Sequence, residues 1–239
     1  MVVTTPAIVL SALKYAEADL IVTCFTKSAG IKSYMLRGIL KSKKGKLRTS
    51  YFQPLTQLDL VAAHKDKGTL ERINEAKVIV PYQSLHTDIV KSGMVMFLAE
   101  ILKSTIQEEE PNPDLYDFIV HALDWLDTNE EVANFHILFL LELSMYLGFY
   151  PDNSEQSAPY FNLLEGSFQE IHTHSYCEKG EAIEYLKQFF GINFDASKLI
   201  NQGKKTRLTA LNLLLLYYKL HLQGFKNPKS LLVLNQLFN

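Results

Sequence analysis

Residues 20–40 have the sequence LIVTCFTKSAGIKSYMLRGIL, which decides the fold class of the N-terminal part of the chain. Two runs rich in β-branched, leucine and aromatic residues, 20–26 and 31–40, flank a polar break at 27–30 that contains a glycine. This composition and punctuation are typical of consecutive β-strands. The stretch therefore predicts two strands joined by a short turn.

Side chains in the second of these runs alternate between two faces. One face carries Ile31, Ser33, Met35 and Arg37, and the other carries Lys32, Tyr34, Leu36 and Gly38. Because successive residues of a strand point to opposite sides of the sheet, we expect one face to be buried and the other to be partly exposed to water.

Further strand-like runs lie on both sides of this stretch, at 7–15, 52–63 and 69–80. Five short strands within about eighty residues predict a small closed antiparallel barrel, and the five-stranded OB-fold is a common barrel of this size. An SH3-like barrel is the competing prediction.

After Pro81 the hydrophobic period changes from that of strands to that of helices. Asn112 and Pro113 are suited to the cap and the first residue of a helix. Thr128 and Glu131 match a capping box in front of another helix. The C-terminal part is therefore predicted to be helical.

Helices are predicted within 84–106, 113–125, 132–147, 180–191 and 204–225, and the last is so apolar that we expect it at the centre of a bundle. The predicted class is α+β multidomain, with an N-terminal five-stranded OB-fold barrel followed by an all-α helical domain. The predicted boundaries are 1–80 for the OB-fold domain and 81–239 for the helical domain.

The composition, 47% hydrophobic and 21% charged residues, is that of a soluble globular protein. No apolar run approaches the roughly 18 residues that a spanning helix needs, so no membrane association is predicted. The N-terminus has no positive region ahead of its apolar residues, which argues against a secretory signal. Two cysteines cannot form a disulfide framework, and the expected location is the cytoplasm.

The net charge of −2 conceals a segregation of charge along the chain. Residues 1–80 carry thirteen Lys or Arg against six Asp or Glu, whereas residues 81–239 carry eleven against twenty. A basic part beside an acidic part predicts a polyanionic partner on one side only.

The basic charge is concentrated in residues 41–48, which we call the basic segment. No acidic residue lies between Asp19 and Asp59. Aromatic side chains on an OB-fold stack on bases, and cations follow the nucleic-acid backbone. A solvated turn is the alternative interpretation. The predicted DNA-binding residues are Lys32, Tyr34, Arg37, Lys41, Lys43, Lys44, Lys46, Arg48 and Tyr51.

His172, His174 and Cys177 form the one cluster of potential zinc ligands, but they lack a fourth ligand and match no strong zinc spacing. No phosphate-binding loop, nucleophile elbow, zinc-protease motif or dinucleotide fingerprint occurs. We therefore predict neither a metal, nor a cofactor, nor an enzyme.

Residues 7–30 follow the pattern G-I-V-L-x-x-x-x-Y-x-E-x-D-x-I-V-x-x-x-T-x-x-x-G, with alanine at its first position. The chain thereby resembles the RecO family of bacterial recombination mediators, and 52–60, 70–76, 92–102 and 141–152 continue the resemblance. The matching residues are Ile8, Val9, Leu10, Tyr15, Glu17, Asp19, Ile21, Val22, Thr26 and Gly30, followed by Gly38 and Lys41.

The resemblance implies an OB-fold followed by a helical domain, and a function in DNA repair. It implies binding of single- and double-stranded DNA, annealing of strands coated by single-strand-binding protein (SSB), and cooperation with RecR in loading the RecA recombinase. It also implies nucleoid association and a site in the helical domain for the acidic, apolar C-terminal tail of SSB. The basic cluster available for that tail is Lys204, Lys205 and Arg207.

The chain departs from the family in one region. Many members carry a four-cysteine zinc knuckle after the segment that matches 148–152, whereas no cysteine precedes Cys177 there. We predict a small metal-free hairpin insert near 155–177 in its place. The alternative function is that of a structural protein-docking adaptor whose barrel does not bind nucleic acid.

Overall fold

The computed structural model describes residues 1–42, 47–65, 69–107 and 110–237. Its N-terminal part is an antiparallel sheet in the order β3-β2-β1-β4-β5. The strands are β1 (Val2–Tyr15), β2 (Asp19–Thr26), β3 (Gly30–Leu36), β4 (Gln57–Ala63) and β5 (Arg72–Val78).

The sheet closes on itself just before β5. Glu71 forms a parallel bridge with Tyr34 on β3, and its backbone N–H donates to the carbonyl of Ser33 at 2.8 Å while Met35 N–H donates to the Glu71 carbonyl at 2.9 Å. A closed five-stranded barrel of this connectivity is an OB-fold. The predicted fold class is confirmed, with an OB-fold followed by a helical region.

The long strand β1 serves both halves of the barrel, because it pairs with β4 through Val2–Ile8 and with β2 through Ala7–Tyr15. A register shift between Val9 and Ser11 interrupts the second ladder, and such a bulge bends a strand and increases its twist. The barrel interior is apolar, and its fully buried members include Ala7, Val9, Val22, Cys24, Tyr34, Leu58 and Leu60.

The strand boundaries differ from the predicted ones in several places: β3 ends at Leu36 rather than at residue 40, β5 spans Arg72–Val78 rather than 69–80, and the largest differences are at the starts of two strands. β1 begins at Val2, five residues earlier than expected. The run 52–63 was predicted as one strand, but it follows a short 3-10 helix, Thr49–Phe52, and pairs only from Gln57. Pro54 has no N–H for a ladder, and Leu55 has a φ of 60°. Both features stop the strand from beginning earlier.

The helices are α1 (Ile89–Thr105), α2 (Pro113–Thr128), α3 (Phe135–Tyr146), α4 (Glu181–Lys187), α5 (Phe194–Ser197), α6 (Lys204–His221) and α7 (Leu231–Leu237). In the described residues no helix is long and apolar enough to cross a membrane. Asn112 caps α2 as predicted, since its Oδ1 accepts the Leu115 N–H at 3.0 Å. The predicted capping box at Thr128 and Glu131 was wrong, because Thr128 ends α2. Its hydroxyl donates back to the Asp124 carbonyl at 2.9 Å.

The most buried helix is α3, not α6. Nine of the twelve residues of α3 are buried, whereas α6 exposes Lys205 and Asn212 on one side. One side of α6 is therefore exposed, and its expected position at the centre of a bundle stays a prediction. The two helices pack together, and the Tyr218 hydroxyl on α6 donates to the Leu140 carbonyl on α3 at 2.6 Å.

Residues 155–177 contain two short strands, β6 (Tyr160–Asn162) and β7 (Ser167–Gln169), and β8 (Cys177–Glu178) pairs with the free side of β6. Phe161 and Phe168 face each other across β6 and β7, with ring centroids 4.9 Å apart. Direct aromatic packing thus links these strands.

The chain forms two compact units, 1–88 with 95–120, and 89–94 with 121–239. In the first unit, the Tyr116 ring lies 5.8 Å from that of Phe25 on β2. Asp117 pairs with Lys27 at 2.7 Å. The start of α2 therefore packs against the barrel as part of one compact unit.

Candidate nucleic-acid interface

Two of the predicted DNA-binding residues, Lys32 and Tyr34, lie on the buried face of β3. Tyr34 is 0% exposed and Lys32 is 8% exposed. The Tyr34 hydroxyl pairs with His64 Nε2 at 2.9 Å, and burial raises the pKa of Tyr34 well above its usual value. The prediction that Tyr34 stacks on a base is corrected, because its ring is part of the barrel core.

The opposite face of β3 carries the accessible groups. Arg37 follows this face and is exposed, as are Lys41 and Arg48 of the basic segment, while Tyr51 is half-buried. Lys43, Lys44 and Lys46 lie outside the described residues. The structure therefore places Arg37, Lys41 and Arg48 on the surface.

The tip of the β1–β2 hairpin holds the chain where it enters the basic segment. Asp19 Oδ1 accepts the Gly38 N–H at 2.7 Å, and the Ala18 carbonyl accepts the Leu40 N–H at 2.9 Å. Gly38 has a φ of 69°, a conformation that glycine adopts without the penalty of a Cβ. These contacts fix the direction in which the chain leaves β3.

The hairpin tip also carries groups of its own. Lys14 and Tyr15 are exposed there, with Tyr15 52% exposed. Glu17 pairs with Lys41 at 3.0 Å, and both side chains are largely in water. Tyr15 was missed as a candidate aromatic residue, although the β1–β2 loop is one of the two loops through which OB-folds bind oligonucleotides.

A cleft of about 620 Å³ lies between the end of β3 and the start of β5. Among the described residues, the cations that line it are Arg37, Lys65 and Arg72. Lys65 and Arg72 were missed from sequence because they lie far along the chain from the basic segment. The signal that points to them is topological, since the β4–β5 loop is the second nucleic-acid-binding loop of OB-folds.

One buried carboxylate shapes the edge of this cleft. Glu71 is 6% exposed, and its two oxygens accept the Lys65 N–H at 2.9 and 3.0 Å. A carboxylate that accepts backbone N–H groups forms a strong, charge-assisted hydrogen bond. Glu71 therefore holds Lys65, at the start of the β4–β5 loop, beside the barrel wall.

The helical region contains a separate groove with cations at its edge. Lys204, Arg207, Leu208 and Leu211 line it from α6, and Leu234 lines it from α7. The first four are neighbours on one side of a helix by their three- and four-residue spacing.

Lys205 is exposed on α6 and is not among the residues that line the groove. Arg207 is held in place, since its Nε donates to Asn134 Oδ1 at 3.2 Å and its Nη2 donates to the Gln202 carbonyl at 3.0 Å. His136 also lines the groove, and burial, with the nearby Arg207 charge, lowers its pKa to about 3. The groove therefore has an apolar wall, a fixed guanidinium and a neutral imidazole.

The potential zinc ligands do not converge. The Cys177 Sγ lies 3.2 Å from Thr173 Oγ1 and 3.8 Å from the His174 ring nitrogens, whereas the His172 ring packs edge-on against Tyr160. Within the described residues no group of three or more His, Cys, Asp or Glu side chains could hold a metal ion.

Comparisons with known proteins identify the family of the chain. Residues 1–82 match the family model for the N-terminal domain of recombination protein O, and residues 86–231 match that for its C-terminal domain. The chain is 50% identical over 238 residues to the DNA repair protein RecO of Christiangramia forsetii. It is 46% identical over 239 residues to that of Flavobacterium psychrophilum and 36% identical over 244 residues to that of Bacteroides fragilis. Each match covers the full length of both chains, and the chain therefore belongs to the RecO family of DNA repair and recombination proteins.

Proposed function

We propose that the protein is a non-enzymatic mediator of recombinational repair that acts in the cytoplasm on nucleoid DNA. Its barrel binds single- and double-stranded DNA, and the protein anneals complementary strands coated by SSB and, with RecR, promotes RecA loading. The observation that carries the DNA-binding proposal is the acid-free window between Asp19 and Asp59, which contains eight Lys or Arg residues.

The exposed cations on this part of the barrel suit a phosphate backbone. Arg37, Lys41 and Arg48 are on the surface. We propose that they contact DNA phosphates together with Lys43, Lys44 and Lys46. If four or five cations contact a single strand, counterion release gives a log–log salt slope of about −3, and a fourfold rise in salt weakens binding about sixtyfold.

Residues other than Tyr34 make the aromatic contacts with the bases. Tyr15 and Tyr51 are the candidates, because Tyr15 is exposed at the hairpin tip and Tyr51 is half-buried beside the basic segment. Stacking of a base on an exposed ring tolerates any sequence, since every base has a π face. This suits a protein that acts on strands of any sequence.

The groove on α6 and α7 suits the acidic, apolar tail of SSB. Leu208 is half-buried there, Leu211 and Leu234 are buried beneath it, and Lys204 and Arg207 lie at its edge. A terminal carboxylate pairs well with a guanidinium that is already oriented. We propose that Lys204 and Arg207 contact the tail directly, and that Lys205, outside the groove, adds only long-range attraction.

The test is annealing of SSB-coated complementary strands together with DNA affinity at several salt concentrations. We expect reversal of the basic segment, by replacing Lys41, Lys43, Lys44 and Lys46 with Glu, to abolish the salt-dependent affinity and slow the annealing. The matched control reverses four exposed lysines elsewhere, Lys77, Lys103, Lys219 and Lys229, and should retain both activities.

Two results would contradict the proposal. Equal loss in the control and in the basic-segment variant would mean that only net charge matters. Absence of DNA binding by the unsubstituted protein, with capture of the SSB tail peptide retained, would instead indicate the protein-docking adaptor.

A further inference from the structure

We propose that the cleft between the end of β3 and the start of β5 binds one unstacked nucleotide of a DNA single strand. The base would lie on an apolar floor, and its neighbouring phosphates would contact Arg37, Lys65 and Arg72. This inference rests on the proposed DNA-binding function and adds a specific site and a preference for single strands.

Polar groups supply the larger part of the cleft surface, and we call its three partly accessible apolar side chains, Met35, Leu47 and Leu70, the floor. Met35 and Leu47 are half-buried, and Leu70 is 41% exposed; all three line the cleft. Its volume of about 620 Å³ lies within the range of about 300–1,000 Å³ that is typical of pockets for small organic molecules. A nucleobase has apolar faces and a polar edge, so it matches a cleft of this kind.

The rim of the cleft provides complementary charge and hydrogen-bonding groups. Arg37, Lys65 and Arg72 contribute three positive charges, and Ser42 and Asn74 contribute polar groups that could meet the edge of a base. The acidic residue among the described lining residues is Glu71, which is buried and directs its carboxylate to the Lys65 N–H. The accessible rim is therefore positive.

The geometry favours a single strand, because a duplex must first unstack and unpair a base at a cost of a few kcal/mol. The described lining residues include no aromatic ring, so a base in the cleft would lose its stacked neighbours without gaining a ring. A fluorescent aminopurine base, which is quenched by stacking, should therefore brighten when it enters.

The experiment titrates a single strand that contains one aminopurine into the full-length protein and follows both fluorescence and affinity against salt. We expect the unsubstituted protein to raise the fluorescence. Leu70→Gln should abolish this rise and leave the salt slope unchanged, because it alters the floor alone. The double variant Lys65→Gln/Arg72→Gln should reduce the slope by about 1.4, since each lost phosphate contact on a single strand contributes about 0.7.

Matched controls lie on neighbouring strands outside the cleft. Leu13 on β1 is 56% exposed and Lys77 on β5 is exposed, and neither lines the cleft. Leu13→Gln and Lys77→Gln should preserve the fluorescence rise. Neither should change the salt slope by more than the loss of one phosphate contact, about 0.7.

The outcomes separate this inference from the proposed function. The unsubstituted protein could bind DNA with a steep salt slope while the Leu70 and Lys65/Arg72 variants show the same fluorescence rise and the same slope. This result would overturn the proposed nucleotide site in the cleft but not the proposed function. Equal affinity of the cleft for a duplex, reduced to the same extent by Leu70→Gln, would overturn the preference for single strands. Failure of the unsubstituted protein to bind any DNA would overturn both.

Discussion

Replacement of Asp19 by alanine tests whether the hairpin tip positions the basic segment. Asp19 is half-buried, and its Oδ1 accepts the Gly38 N–H at 2.7 Å at the point where the chain turns away from β3. A hydrogen bond to a charged group contributes about 1.5–3 kcal/mol. Water can reach this site and replace part of the lost hydrogen bond. We therefore expect the substitution to destabilise the local conformation of the chain after β3 by about 1 kcal/mol.

We expect Asp19→Ala to weaken DNA binding, which is the opposite of what loss of a negative charge alone would do. Neutralising an acid beside a cationic segment should tighten DNA binding if Asp19 acts only through its charge. If Asp19 positions the segment, DNA binding must supply the lost stabilisation of about 1 kcal/mol, and affinity should instead weaken about fivefold. The salt slope should stay the same, because the number of phosphate contacts is unchanged.

The assay is fluorescence anisotropy of a labelled single strand at several salt concentrations, with Asp19→Asn as the matched control. Asparagine also removes the charge, but its side-chain oxygen can still accept the Gly38 N–H. We therefore expect affinity equal to or tighter than that of the unsubstituted protein. Tighter binding by Asp19→Ala, or equal weakening in both variants, would refute the positioning role.

Three further experiments test the barrel and the helical region. Tyr34→Phe removes the hydroxyl that pairs with His64 and should lower the free energy of unfolding by about 1 kcal/mol with no change in DNA affinity; weaker DNA binding at unchanged stability would contradict the buried placement. A double-mutant cycle on Lys27 and Asp117, whose side chains are 38% and 47% exposed, should give a coupling of about 0.2–1 kcal/mol in thermal or urea unfolding. For His136, whose pKa burial lowers from 6.5 to about 3, the unfolded state binds a proton that the folded state lacks between these pH values. Stability should therefore fall with decreasing pH by up to about 1.4 kcal/mol per unit, and His136→Gln should remove this component from the pH dependence of urea unfolding.

The barrel could be predicted because alternation along a strand is a local property, but the identity of the buried face could not. Both faces of β3 carry a cation and apolar residues, and the face with Lys32 and Tyr34 is the one that faces inward. A lysine stem is apolar and can be buried along its length. The tyrosine satisfies its hydroxyl through His64, thirty residues away along the chain, and no local pattern indicates that partner.

The candidate site was predicted only in part for a related reason. A run of lysines is visible in the sequence, whereas Lys65 and Arg72 reach the same cleft as Arg37 only because the barrel closes. In the helical region, hydropathy alone did not distinguish the most buried helix. Cations and Asn212 give α6 an exposed side, whereas α3 is buried nearly all round.

Glu71 shows why the fold and the candidate site cannot be separated. Its backbone closes the barrel through Ser33 and Met35, while its side chain holds the Lys65 N–H at the start of the β4–β5 loop. A carboxylate at 6% exposure would be costly without hydrogen-bond donors, and the Lys65 N–H is one of the donors that Glu71 uses. The same residue thereby fixes Lys65, and Arg72, the next residue along the chain, lines the cleft beside it. The same buried acid therefore takes part in closing the barrel and in holding two cations, Lys65 and Arg72, beside the cleft.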